Sequence, residues 1–247
     1  MQIDVEGAIL NYEISGDSSN PTLVLWHGAG CSLRMWDIAL NSLKDRFFCI
    51  AFDVRGAGQS IAGIEPPDQF TFEQYSKDIN AILEELEIQK LHLWSMAWGT
   101  RAAMAYCSLN PGKVLSAVFS DASIGVADVA AQKEGVKKAL SIQDESGITR
   151  FDLPLGWNKH RNLETAGLSL SAAAKFNLSE VIEELQLPIM LMTGDHDPNL
   201  ESSKEILDRL PLAKLKILEG VGHGSVLQRP DLTVTNFFEF HASLRLS

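Results

Sequence analysis

Two short patterns in the second half of this 247-residue chain carry the side chains of acid–base chemistry: GDHD at 194–197 and GVGHG at 220–224. Asp197 precedes a proline that helps fix its loop, and His223 lies among glycines that let a loop carry its ring over the edge of a sheet. A carboxylate that holds an imidazole orients the ring and stabilises its protonated form, the pairing used in general acid–base catalysis. Three further patterns lie upstream: HGAG at 27–30, DVRGAGQS at 53–60 and LHLWSMAWGTRAA at 91–103, the last reading as a buried strand that bends through small residues into a helix. A metal centre is not indicated, because the histidines are scattered and GDHD lacks partners at ligand spacing.

The elements that must position these residues can be read from hydrophobic period. LVLW at 23–26, CIAF at 49–52, LHLW at 91–94, LSAVF at 115–119, IMLM at 189–192 and LKIL at 215–218 are β-rich runs that alternate with helical segments. The alternation predicts a mainly parallel sheet with helices on both faces. Residues 3–5 and 9–14 predict an antiparallel hairpin turning near Glu6 and Gly7. Leu33, Trp36, Leu40 and Leu43 fall on one helical face, as do Phe72, Tyr75, Ile79, Ile82 and Leu86, with Thr71 and Gln74 forming a capping box. Further helices are expected over 98–109, 203–210 and 230–241. Residues 122–187 contain no β-rich run, only helical pieces around DLPLGWNKHRN at 152–162. They read as an insertion within one domain spanning 1–247, expected to cap the strand ends where α/β sheets bind ligands.

Taken in order, the three upstream patterns and the GDHD–GVGHG pair resemble those of the α/β-hydrolase superfamily, and the likeness covers nearly the whole chain outside the insertion. It implies an α/β fold with a mostly parallel eight-stranded sheet, helices on both faces and a helical cap after strand 6. In that family the nucleophile sits in G-x-S-x-G, on a strand-to-helix turn whose strained backbone requires small neighbours. The matching window, Ser95 to Gly99, puts Ala97 at the nucleophile position. A register with Ser95 as nucleophile would flank it with Leu93 and Ala97 and begin the helix two residues early.

The resemblance further implies Asp197 as the acid and His223 as the base. Asp121, just after LSAVF, is the alternative acid, because some family members place it there. The main-chain amides of Ala29 and Trp98 are implied as the oxyanion hole. Gly28, Trp157, His160 and Arg161 are expected to line a substrate pocket, with the Trp98 ring facing it. Asp53, Arg55 and His27 read as structural.

An alanine at position 97 has no proton to lose and no lone pair to attack with. The leading expectation is therefore a hydrolase of a carboxylic ester, lactone or related acyl substrate by a Ser-His-Asp mechanism, with a substitution at 97 that stops turnover. The alternatives are a non-catalytic hydrolase-like receptor and a lyase that uses His223 as base. Epoxide hydrolysis fits poorly, since Tyr12, Tyr75 and Tyr106 all lie outside 122–187. A formal charge of −11 argues against nucleic acid and anionic membranes as partners. Cys31, Cys49 and Cys107 read as buried thiols of a reducing compartment. With no signal-like start and no long apolar run, a cytoplasmic protein acting on a small molecule, without cofactor, is expected.

Overall fold

A computed structural model describes residues 1–244. Its nine strands form one sheet: β1 (Gln2–Val5), β2 (Ala8–Ser15), β3 (Thr22–Trp26), β4 (Phe48–Phe52), β5 (Ile61–Ala62), β6 (Leu91–Met96), β7 (Val114–Ser120), β8 (Ile189–Gly194) and β9 (Ala213–Leu218). The spatial order is β1-β2-β4-β3-β6-β7-β8-β9, with the two-residue β5 beside β2. The count of eight expected from sequence is thus one short. β5 has no hydrophobic run of its own and exists only through the pairing of Ala8 with Ala62 and Ile9 with Ile61. The β1–β2 hairpin is antiparallel, and β3 to β9 along the main path run parallel.

The central strands carry apolar side chains on both faces because helices cover both. α1 (Asp37–Leu43) and α9 (Pro230–Ser243) enclose one core, in which Trp94 stacks on Phe237 at 4.7 Å. α2 (Phe72–Glu85), α3 (Trp98–Leu109) and α7 (Asn199–Arg209) enclose the other, around Val24, Leu93, Phe119 and Leu191. The Thr71 side chain caps α2 by accepting from the Gln74 amide, but the Gln74 side chain donates to Asp78. Only half of the capping box forms, since Asp78 sits one turn along the same face. Asp78 in turn takes two hydrogen bonds from Arg55, both side chains being buried. α7 begins four residues earlier than the period suggested, because the Asp197 carboxylate accepts from the Asn199 amide and opens the helix there.

Between β7 and β8 lie α4 (Val129–Glu145), α5 (Leu163–Ser169) and α6 (Leu178–Val181), with short 3-10 turns and no strand. α8 (Ser225–Gln228) precedes α9. A mid-helix glycine in α4, Gly135, is explained by close packing: a Cβ there would collide with the His196 carbonyl oxygen. Among the described residues no helix is long and apolar enough to cross a membrane.

The tightest helix-to-strand approach is at Gly99, in the first turn of α3, where a Cβ would drive into the carbonyl oxygen of His27 and press on that of Trp26. Backbone, unlike a flexible side chain, cannot yield without moving β3. Gly99→Ala should therefore lower the unfolding free energy by roughly 2–3 kcal/mol, measured by urea titration. Ala103→Gly, one turn further along the same helix, should cost only about 1 kcal/mol.

Candidate active site

The site positions lie at the C-terminal ends of neighbouring strands, where an open α/β sheet leaves a crevice. Ala29 follows β3, Ala97 follows β6, Asp121 follows β7, Asp197 follows β8 and His223 follows β9. These five strands are adjacent in the order β3-β6-β7-β8-β9.

Ala97 occupies the bend between β6 and α3 with φ 52° and ψ −118°, a conformation that a residue bearing a Cβ rarely adopts. Its amide donates to the Ser120 carbonyl at 2.8 Å, and its own carbonyl accepts from the amide and hydroxyl of Thr100. Ser95 does not stand at this bend. It lies two residues back inside β6, fully buried, with its Oγ unbonded. The alternative register is therefore excluded, since a nucleophile must be exposed at the turn. The three cysteines are buried, and burial pushes each thiol up to about 12, so none offers a thiolate.

Gly28 adjoins the bend: a Cβ on it would lie 3.6 Å from that of Ala97 and 2.9 Å from Met96 Cε. The following residue, Ala29, is exposed. The Trp98 amide is the first N–H of α3, one that the helix leaves without an internal partner. His27 holds the base of this loop, with Nδ1 donating to the Gly28 carbonyl and Nε2 accepting from the Val54 amide. Burial lowers its pKa, in keeping with a neutral ring whose two nitrogens are both used.

The acid and base come together. His223 Nδ1 lies 2.9 Å from Asp197 Oδ2, and the aspartate side chain is 0% exposed against 20% for the histidine. The second Asp197 oxygen accepts from Asn199. With Nδ1 paired to the carboxylate, Nε2 is the imidazole nitrogen available for proton transfer. Burial opposes the charged imidazole, but the hydrogen bond it donates to Asp197 and the charges of Asp121 and Asp197 outweigh it, so the His223 pKa is raised.

Asp121, the alternative acid, is fully buried at φ 56°. Its carboxylate does not hold the ring; Oδ2 accepts from the amides of Gly224 and Ser225. Asp121, Asp197 and His223 are the one cluster of metal-ligating residue types among the described residues. Within it Asp197 is bonded to His223 and to the Asn199 amide, and Asp121 to the Gly224 and Ser225 amides.

The remaining expected pocket residues bind loops together. His160 Nδ1 accepts from the Gly58 amide, the Arg161 amide donates to the Gly58 carbonyl, and the Trp157 carbonyl accepts from the Ser32 amide. The Trp98 indole donates to the Leu170 carbonyl and packs edge-on against Phe72 and Tyr75. Asp53 and Arg55 serve structure: Asp53 accepts from Leu33, Gln59 and Asn11, and Arg55 pairs with Asp78. Sequence reasoning missed Gln228, whose side chain donates to the His223 carbonyl and accepts from Gly222, and Ser32, which bonds Gly156 and Trp157. Neither has a local signal, as both act on residues made adjacent by folding. A groove of about 630 Å3 lined by Ile142, Lys216, Ile217 and Arg229 includes neither Ala97 nor His223, so chemistry rather than cavity size identifies the site.

Comparison with known proteins bears on the family and the fold. The family model for the alpha/beta hydrolase fold matches residues 21–164. The chain is 24% identical to a proline iminopeptidase from Lactobacillus helveticus, over 89% of this chain and 90% of that protein. It is 18% identical to 3-oxoadipate enol-lactonase 2 from Acinetobacter baylyi, over 92% of this chain and 91% of that one. The crystal structure of the enol-lactonase from Burkholderia xenovorans LB400 superposes with a TM-score of 0.81 at 18% identity, covering 98% and 100% of the two chains. These relatives are hydrolases. By its sequence match and its architecture, this chain belongs to the alpha/beta hydrolase fold family.

Proposed function

We propose that this site is built for hydrolysis of a carboxylic ester, lactone or related acyl substrate by a Ser-His-Asp mechanism, with alanine at the nucleophile position. The observation that carries this reading is the strained bend at Ala97, in a site where His223 is already paired with Asp197. An acyl carbonyl over the bend would direct its oxygen at the Ala29 and Trp98 amides, which act on the developing oxyanion. With serine at 97, Oγ would attack the carbonyl carbon while His223 Nε2 takes its proton. The imidazolium, held by Asp197, would then protonate the leaving group, and water would release the acyl chain by the same steps.

Alanine removes the first of these steps and leaves the others standing. The chain as written is expected to bind its substrate without acylation. The insertion over 122–187 would act as the cap that encloses a small molecule, with Gly28 and Trp157 near its floor and Ser32, His160 and Arg161 holding it in place. The absence of a nucleophile also favours a second reading, a hydrolase-like receptor, or a lyase in which His223 removes a proton without covalent attack. A receptor has no need of the buried Asp197–His223 pair, which supports the first reading.

Ala97→Ser should raise hydrolysis of short p-nitrophenyl esters or lactones by at least about a thousandfold over the parent chain and permit labelling by a serine-directed phosphonate. A serine form inert to both would remove the hydrolase reading. In the Ala97→Ser background, Asp197→Asn should cut kcat by about 10³ to 10⁴-fold with little change in KM. Because the reaction needs neutral His223 and its pKa is raised, kcat/KM of the serine form should fall on acidification with a midpoint above the ordinary 6.5.

A further inference from the structure

We propose that Asp121 is a positioning residue for His223: its carboxylate fixes the loop that carries the imidazole and sets a second negative charge beside the ring. The inference rests on reading His223 as the base of the site. Asp121 Oδ2 accepts from the Gly224 amide at 3.0 Å and the Ser225 amide at 2.7 Å, the two residues that follow His223. Oδ1 is buried and has no hydrogen-bond partner. The reactive atoms of Asp121, Asp197 and His223 lie within 4.8 Å of one another.

A loop anchor alone would not need this arrangement. A neutral side-chain oxygen could accept both amides, whereas a fully buried carboxylate with one oxygen unpaired is costly to keep. The cost is understandable if the charge acts on a neighbour, and the neighbours are specific. Asp197 faces Asp121 from the loop after β8, and His223 from the loop after β9. The end of β6, whose Ala97 amide donates to Ser120, brings no charge. Asn199 locks the two carboxylates in place, its side chain donating to the Asp121 carbonyl and its amide to Asp197 Oδ1.

Burial, together with the charge of Asp197, pushes Asp121 up to about 7, against the pull of His223 and the Ser225 bonds. Asp121 therefore gains or loses its proton near neutral pH, and its charge is one of the causes that raise the His223 pKa. The ionised Asp121 carboxylate favours imidazolium, so the titrations of Asp121 and His223 are coupled.

The test uses the chain as it stands, since no turnover is required. In the unaltered protein, the Asp121 carboxyl carbon should titrate near pH 7 by 13C NMR, with a matching inflection in the 15N shifts of His223. Titration of Asp121 in the ordinary carboxylate range, with a single step at His223, would overturn the proposal. Asp121→Asn suits the positive φ and keeps an oxygen for both amides while removing the charge. It should lower the His223 pKa by about one unit and leave exchange of the Gly224 and Ser225 amides slow. Asp121→Ala should speed that exchange at least tenfold. In the Ala97→Ser background, Asp121→Asn should move the acid limb of kcat/KM to lower pH without changing KM. An inert serine form with the NMR shift intact would remove the hydrolase reading and leave the role of Asp121 standing. An active serine form whose His223 pKa ignores Asp121→Asn would do the reverse.

Discussion

At Ala97 the chain must leave β6 and enter α3 within a single residue, and it does so by adopting φ 52° and ψ −118°. A side chain with a Cβ pays of order 1–3 kcal/mol for such a conformation, which persists only when its surroundings over-determine it. They do so here. The amide is held by Ser120, the carbonyl by Thr100, and Gly99 lets the helix seat itself against the His27 carbonyl. The bend brings the first N–H groups of α3 to the strand ends and gives the HGAG loop a surface to rest on through Gly28. Moving this residue would displace the first amides of α3 and the anchoring Trp98 together.

The acid–base half of the site is organised independently of what stands at 97. Hydrogen bonds join the loops after β8 and β9, with the His196 amide donating to the Val221 carbonyl and the Val221 amide to the Asp195 carboxylate. α4 lies over them in main-chain contact at Gly135 and Gly222. Gln228 and Asp121 hold the histidine loop from below. Serine and alanine differ by one oxygen, and none of these contacts involves that atom. A chain can thus carry alanine at this bend and keep the histidine paired, half-buried and electrostatically tuned.

The insertion is fastened to the same two loops that frame the bend. Ser32 bonds residues 156 and 157, Gly58 bonds residues 160 and 161, and Thr165 donates to the Gly56 carbonyl. Tyr75 and Trp98 reach the carbonyls of Ser169 and Leu170 from the other side. Any shift of the insertion is consequently felt at the HGAG and DVRGAGQS loops.

Much of this was legible in the chain. Apolar runs flanked by glycine turns marked the strands because strands buried on both faces admit little else, and the order of Ala97, Asp197 and His223 followed from motifs that act within a few residues of one another. The small residues at Ser95 and Gly99 announced the bend itself, since local sterics decide it. What the sequence could not decide depends on groups far apart in the chain. β5 is two residues whose only claim to be a strand is its partner, and α7 starts where a carboxylate caps it. No local signal in the chain says that His160 accepts from the amide of Gly58, 102 positions away. The same holds for Asp121: as a residue type it could serve as acid or anchor, and only the tertiary arrangement, which turns it to the amides after His223 and gives Asp197 the ring, separates the two roles.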